Sequence, residues 1–359
     1  MSIFKNVLKK NLFTIVTLAI SMAILLVFLF RGNSVQQLSK IFSSLSVGWM
    51  LLAFATLAVT WLLEGTADWL LCRHLYPHWS FGRAFMIGMT GLFYSAVTPF
   101  STGGQPMQIY YMSKMGMQPG HSAAVISVKT ITYQITMVLF SLLLIGSELP
   151  FFVRNVSNLA FLTLFGVVSN VLFILAVVLV SVNAGFIYRL LHSLLNLLGK
   201  MHLVKEPEKK YASIIAHLDT FHAGFKVMGR NWKLYLAVCL LTVVQIFVSS
   251  SVTYCIYRAF HLRGATLLVM IAAQVFANMV AAFVPLPGGS GGAEVSFSAF
   301  CHVFFQNLLT PALLVWRLLT YYGSILFGCI FVFAGARKYV GAAPPKDTGG
   351  TSAVEKKSA

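Results

Sequence analysis

Thr98-Pro99-Phe100-Ser101-Thr102-Gly103-Gly104-Gln105-Pro106 and Pro285-Leu286-Pro287-Gly288-Gly289-Ser290-Gly291-Gly292-Ala293-Glu294 end two short apolar segments, 84 to 98 and 266 to 284. Prolines stop a helix and remove backbone donors, while glycines let the chain turn tightly and bare its N–H groups. A half-helix beginning after each turn would aim further N–H groups and the positive end of its dipole inward, forming a nest for phosphate. The plain alternative is a glycine-rich contact between helices.

Both elements sit in a chain composed for lipid. Apolar residues make up 58% of its 359 positions and charged residues 10%, against about 45–50% and about 25% in soluble domains. Stretches able to cross a bilayer, which takes about 20 helical residues, run through 12 to 30, 48 to 71, 121 to 146, 158 to 182, 232 to 257 and 311 to 336. The first follows Lys5, Lys9 and Lys10 as a signal peptide would, yet Val27-Phe28-Leu29-Phe30 offers no small residues for cleavage, so it reads as a retained anchor. No period-two alternation recurs, which argues against a β-barrel and leaves helices to satisfy the backbone in lipid. Cys72, Cys239, Cys255, Cys301 and Cys329 form no C-x-x-C pair and lie almost entirely in apolar segments; they read as small buried side chains, with no zinc site and no disulfide framework. A formal charge of +17 would suggest nucleic acid in a soluble protein. Here Lys and Arg flank spans, so the partner implied is anionic membrane lipid and no nucleic acid is expected.

Charge also sets the topology. The stretch 186–233 carries Arg189, Lys200, Lys205, Lys209, Lys210, Lys226, Arg230 and Lys233 against Glu206, Glu208 and Asp219, and the tail 337–359 is basic as well. Both belong on the cytoplasmic side with the N-terminus. If all eight apolar segments crossed fully, the basic loop would emerge outside. The conflict disappears when residues 82–118 and 265–306 each enter and leave by one side: the expected fold is an all-α polytopic membrane protein of about six full spans plus two re-entrant hairpins. Arg258 and Arg263 then lie outside, against the charge rule. Phe186 to Leu198 is amphipathic, suited to the membrane surface or to packing on the bundle. The tail, rich in Pro, Gly, Ser and Lys, reads as disordered.

A shift of 188 residues lays Pro99 on Pro287, Gly103 and Gly104 on Gly291 and Gly292, Lys129 on Arg317, Thr132 on Thr320 and Tyr133 on Tyr321. This defines repeat one at about 48–146 and repeat two at about 232–336 within a membrane domain of 1–336. Under the charge topology the two hairpins enter from opposite sides, an inverted arrangement recurrent in transporters. A duplication kept only for packing is the alternative.

Lys129 and Arg317 stand inside spans, where a charge needs a partner or water. A phosphate in one central cavity would serve both. Glu64 and Asp68, four apart on one helix face, could neutralise those cations, carry protons, or bind a cationic headgroup; Glu294 could instead favour the first turn of a helix. Gly288-Gly289-Ser290-Gly291-Gly292 matches G-x-S-x-G in letters, but a nucleophile elbow follows a strand and this segment follows an apolar helix. No P-loop sequence occurs, and no His, Asp or Glu cluster has metal-ligand spacing. No catalytic residue, metal or cofactor is expected.

With Pro99-x-x-x-Gly103-Gly104-x-Pro106, Tyr110-Tyr111 and Lys114, and with Pro285-x-Pro287-Gly288-Gly289-x-Gly291-x-x-Glu294, the chain from about residue 12 to 336 resembles the flippase-like membrane domain of lysylphosphatidylglycerol synthases, the multiple peptide resistance factors. The resemblance implies movement of an anionic or aminoacylated phospholipid, such as lysyl-phosphatidylglycerol, in a bacterial inner membrane, and it links the chain to antibiotic resistance. The family's cytosolic aminoacyl-transferase domain is expected to be missing, so a phosphatidylglycerol lysyltransferase label would overstate the reading. Gly103, Gly104, Gln105, Lys129, Tyr133, Gly288, Gly289, Gly291, Gly292, Glu294, Arg317 and Tyr321 are the candidate lipid-binding residues, with Glu64 and Asp68 as coupling or headgroup acids. A lipid-modifying transferase using Ser290 or a carboxylate, and a scaffold for lipid-synthesis enzymes, are the competing readings. A homo-oligomer and a separate lipid-synthesising enzyme stand open as partners.

Overall fold

The computed structural model describes residues 41–340 except 157–158, 184, 186–187, 190–192, 194–206, 230 and 282–285. The anchor at 12–30, most of the amphipathic stretch from Phe186, Pro285 and the tail beyond Val340 lie outside the described residues.

Among those residues the chain is helical with no strand. The first half runs through α1 (Val47–Leu75), α2 (Phe81–Val97), α3 (Gly104–Lys114), α4 (Pro119–Asn155), α5 (Leu159–Val182) and α6 (Pro207–Gly229). The second runs through α7 (Trp232–Ala259), α8 (Leu267–Ala281), α9 (Gly292–Phe305), α10 (Leu309–Arg317) and α11 (Gly323–Gly335). Five stretches among the described residues are long and apolar enough to cross a bilayer: Val47–Leu75, Pro119–Glu148, Leu164–Val182, Trp232–Ala259 and the run within Gly292–Tyr339. Leu164, Leu172 and Leu175 of α5 are exposed, as lipid-facing side chains are. The chain is therefore an all-α polytopic membrane protein. α2 and α8, at 17 and 15 residues, fall short of a full crossing.

Local chemistry fixes the boundaries. Pro119 opens α4, where a missing N–H costs nothing. Asn231 caps α7 by accepting the Leu234 N–H on its side-chain oxygen at 3.2 Å. Two expectations change. The basic loop of 186–233 contains α6, which packs on α4 because Gly120 and Gly224 let the two backbones approach. The final helix also continues through a wider turn at Ala336–Val340, so Arg337 and Lys338 end a helix instead of opening a disordered tail.

The helices fall into two sets of like order. α1 corresponds to α7, α2 to α8, α3 to α9, and α4 to α10 with α11. Contacts between the sets are reciprocal: α2 packs on α11, and α8 packs on α4. Such mutual exchange is the mark of a two-fold axis. Its sense follows from α1 and α7, the most extensively packed pair. The Ser46 N–H at the start of α1 donates to the Ala259 carbonyl at the end of α7, at 3.0 Å, while Glu64 of α1 meets Gln245 of α7 at 2.8 Å. Advancing along one helix means retreating along the other. The repeats are inverted.

Each hairpin returns to the end of the bundle where it began. Tyr76, before α2, accepts the N–H of Gln118, after α3, on its hydroxyl at 3.1 Å. Tyr257 and Phe260, before α8, pack their rings on Phe305 at the end of α9. Because α1 and α7 are antiparallel, these two entrances lie at opposite ends. Parity agrees: antiparallel α1 and α7 require an even number of crossings between them, and α4 with α5 supplies two. The tips, tight turns at Pro99–Ser101 and Pro287–Gly289, touch each other in the interior.

In a background with the five cysteines replaced by alanine, an impermeant thiol reagent is expected to label Ser80→Cys and Gln118→Cys from one face of reconstituted vesicles and Arg263→Cys and Asn307→Cys from the other. Labelling of Ser80→Cys and Gln118→Cys from different faces would contradict the first hairpin's return.

Candidate functional site

Two adjoining chambers, of about 620 and 360 Å³, flank the touching tips and share Thr60, Leu92, Ser101, Tyr133 and Ser249 in their walls. The larger is walled by Glu64, Phe100, Gln105, Lys129 and Gln245 among others, the smaller by Gln274, Asn278, Gly288, Gly289, Trp316, Arg317 and Tyr321.

In the larger chamber Lys129 lies three turns into α4. Its ammonium is held by two acids of α1, Glu64 Oε1 at 2.5 Å and Asp68 Oδ1 at 2.7 Å. The four-residue spacing puts both carboxylates on the same helix face, and Gln245 Nε2 of α7 donates to Glu64 Oε2 at 2.8 Å. One cation thus meets two carboxylates. Asp68 is 0% exposed, and its Oδ2 has no hydrogen-bond partner among the described residues.

In the smaller chamber Arg317 ends α10, where the helix widens into a π turn at Leu318–Tyr322, a distortion frequent at functional sites. The Arg317 side chain is 5% exposed and donates from Nε to Glu294 Oε1 at 2.7 Å. The other oxygen of Glu294 accepts the Gly291 N–H at 2.5 Å, fixing the carboxylate in the first turn of α9. Nη1 points to the Gly288 carbonyl at 3.5 Å, a weak contact. Nη2 of Arg317 and Nε1 of Trp316 are buried and without acceptors among the described residues. Trp316 and Tyr321 flank the guanidinium with ring centroids at 5.1 and 5.2 Å.

The candidates therefore divide. Gln105, Lys129, Tyr133 and Glu64 line the larger chamber; Gly288, Gly289, Arg317, Tyr321 and again Tyr133 line the smaller. Asp68 and Glu294 act from behind the walls. The single central cavity becomes two, and each cation already holds a carboxylate. Gly103, Gly104, Gly291 and Gly292 line neither chamber, and three of the expected nest's donors, those of Gly103, Gly289 and Gly291, are spent inside the turns. Gly103 gives its N–H to Thr98 Oγ1 at 2.8 Å, and Gly289 gives its own to the Leu286 carbonyl at 2.9 Å. A Cβ on Gly104 would enter Ser95 and the Gly91 carbonyl, so that glycine serves helix packing. Ser290 is buried and lines neither chamber.

The tips show what the residue types alone did not. Phe100 and Ser101 have φ of 53° and 55°, and Gly288 and Gly289, each 188 positions on, have 58° and 63°. Glycine takes this left-handed region freely; Phe and Ser are strained there, at roughly 1–2 kcal/mol per residue. Such strain concentrates at functional sites. Phe100 is also 51% exposed, its ring standing in the larger chamber. The 188-residue shift, read at these two positions, would have exposed the mismatch. Gln245, Gln274 and Asn278 are polar residues in apolar helices, visible in the sequence but without a charge to mark them.

Phe100→Gly is expected to raise the melting temperature in detergent, by relief of about 1 kcal/mol of backbone strain. Gly288→Ala is expected to lower it by about 2–4 kcal/mol equivalent, because the new Cβ meets the Tyr321 ring as well as a left-handed φ. Equal and small shifts from both would show that the tips are not held as described.

Residues 14–328 match the family described as the lysylphosphatidylglycerol synthase TM region. A UPF0104 membrane protein of Archaeoglobus fulgidus is 28% identical over 303 residues, covering 79% of this chain and 86% of that protein. The uncharacterized protein MG306 of Mycoplasma genitalium is 21% identical over 354 residues, covering 91% and 89%. With most of its length matched, helices and chambers included, this chain belongs to the family of the lysylphosphatidylglycerol synthase TM region.

Proposed function

We propose that the chain carries phospholipid headgroups across the bilayer, with the phosphate in the smaller chamber and the acyl chains left in lipid. One observation carries this reading: Arg317 Nη2 and Trp316 Nε1 are two buried donors with no acceptor among the described residues. Arginine and tryptophan side chains can only donate, so the wall they form calls for an acceptor, and a phosphate oxygen is the one that arginine's planar fork fits best. Inverted repeats whose broken helices meet in the interior support the same reading, because that architecture serves each leaflet in turn. The family's description makes lysyl-phosphatidylglycerol the leading lipid. The reading includes a cell-membrane location with both termini in the cytoplasm, and six spans once the 12–30 segment is counted.

A transferase centred on Ser290 is disfavoured by that residue's burial away from both chambers. A scaffold would have no use for two buried donors left without an acceptor among the described residues.

The test is reconstitution into phosphatidylglycerol and phosphatidylethanolamine vesicles with a fluorescent phosphatidylglycerol, followed by outer-leaflet quenching. Arg317→Lys keeps a cation for Glu294 but loses the Nη2 edge, and is expected to slow translocation at least about tenfold, since a hydrogen bond to a charged group contributes about 1.5–3 kcal/mol. Ser290→Ala is expected to change nothing. Wild-type chain that moves no lipid would remove the translocation reading; an undiminished Arg317→Lys would remove the phosphate site.

A further inference from the structure

The larger chamber has a demand opposite to that of the smaller one, and the lipid reading leaves it unused. Glu64 in its wall and Asp68 behind it share one ammonium, that of Lys129, so the cluster with both acids ionised has one negative charge in excess. Asp68 is fully buried, and its Oδ2 lacks a donor among the described residues. Among the described residues the neighbouring elements bring it no second cation. α1 adds the buried Cys72 one turn on, α2 presents Gly88, whose missing side chain leaves Oδ2 uncrowded, α4 adds Tyr133 beside Lys129, and α7 adds the neutral Gln245, already given to Glu64. A carboxylate oxygen in that setting takes a proton or a small cation. The cluster has two oxygens of Glu64 and one of Asp68 already engaged with Lys129 and Gln245, too few free ligands for a metal shell of six or more oxygens. A proton needs only the one oxygen that is free.

We propose that the Glu64–Asp68 pair is a proton-coupling site, built on the translocation reading above: one proton binds as the hairpins face one side and leaves as they face the other. At the first side an O–H bond of hydronium breaks, leaving water, as one forms on the pair and brings the excess charge to zero; at the second side the pair's O–H bond breaks and the proton passes to water as hydronium. Lys129 stays protonated throughout and holds whichever carboxylate remains ionised.

With the membrane potential clamped by potassium and valinomycin, one-to-one coupling moves the steady-state leaflet ratio of the fluorescent phosphatidylglycerol about tenfold per pH unit of imposed gradient. Asp68→Asn is expected to abolish that dependence and Asp68→Glu to retain it. Because the wild-type measurement needs no variant to fold, it decides first. Lipid movement with a ratio indifferent to the gradient overturns proton coupling and leaves the translocation reading standing. Absence of lipid movement overturns both.

Discussion

A charge inside a lipid-embedded bundle costs several kcal/mol unless an opposite charge meets it, and this chain answers that constraint twice. Lys129 ties α4 to α1 through Glu64 and Asp68, and Gln245 brings α7 into the same cluster. Arg317 ties α10 to α9 through Glu294, whose second oxygen in turn fixes the turn at Gly291. Between them these contacts engage the antiparallel pair α1 and α7 and the arm of one hairpin. Apolar faces alone would leave helix rotation poorly determined in lipid, where a leucine gains little from a protein neighbour over an acyl chain. The buried pairs supply the register.

The inverted repeat governs the backbone more strictly than the side chains. Turns, helix order and left-handed positions recur at a constant offset, so that Phe100 and Ser101 adopt the conformation of Gly288 and Gly289. Charge does not recur in that way. The positions matching Glu64 and Asp68 are Val252 and Ile256, and the position matching Glu294 is Pro106. Each cation has found its acid on a different element. The halves therefore share a mechanical design but differ in chemistry, which is what gives one chamber spare donors and the other a spare acceptor.

Much of this architecture was legible in the sequence because it follows from period and punctuation. Apolar segments at 48 to 71 and 232 to 257 became α1 and α7, and the proline-glycine elements became turns that share a 188-residue offset. Charge parity anticipated the inversion, because a basic loop misplaced by one crossing is a large error in free energy. The site was less legible. Residue type told that Lys129 and Arg317 needed partners, yet only the packing of α1 against α4 decides that both carboxylates of α1 face Lys129. The glycines are less legible for a related reason: a sequence shows that an N–H can be bared, whereas the fold decides whether Thr98 or Glu294 takes it first.

The two chambers share Tyr133, Ser101 and Thr60 in their common wall, so their occupants feel one another. Like charges about 10 Å apart at an effective dielectric of about 20 repel by about 1.7 kcal/mol. A phosphate settling against Arg317 would add negative charge beside a cluster that carries an excess of it when both acids are ionised, and a proton on Glu64 or Asp68 would remove that penalty. By linkage the benefit is reciprocal: an occupied anion chamber favours the protonated pair as much as protonation favours the anion. Lipid and proton would then load together and leave together, with the strained tip at Phe100 and Ser101 standing between them at the point where the two hairpins touch.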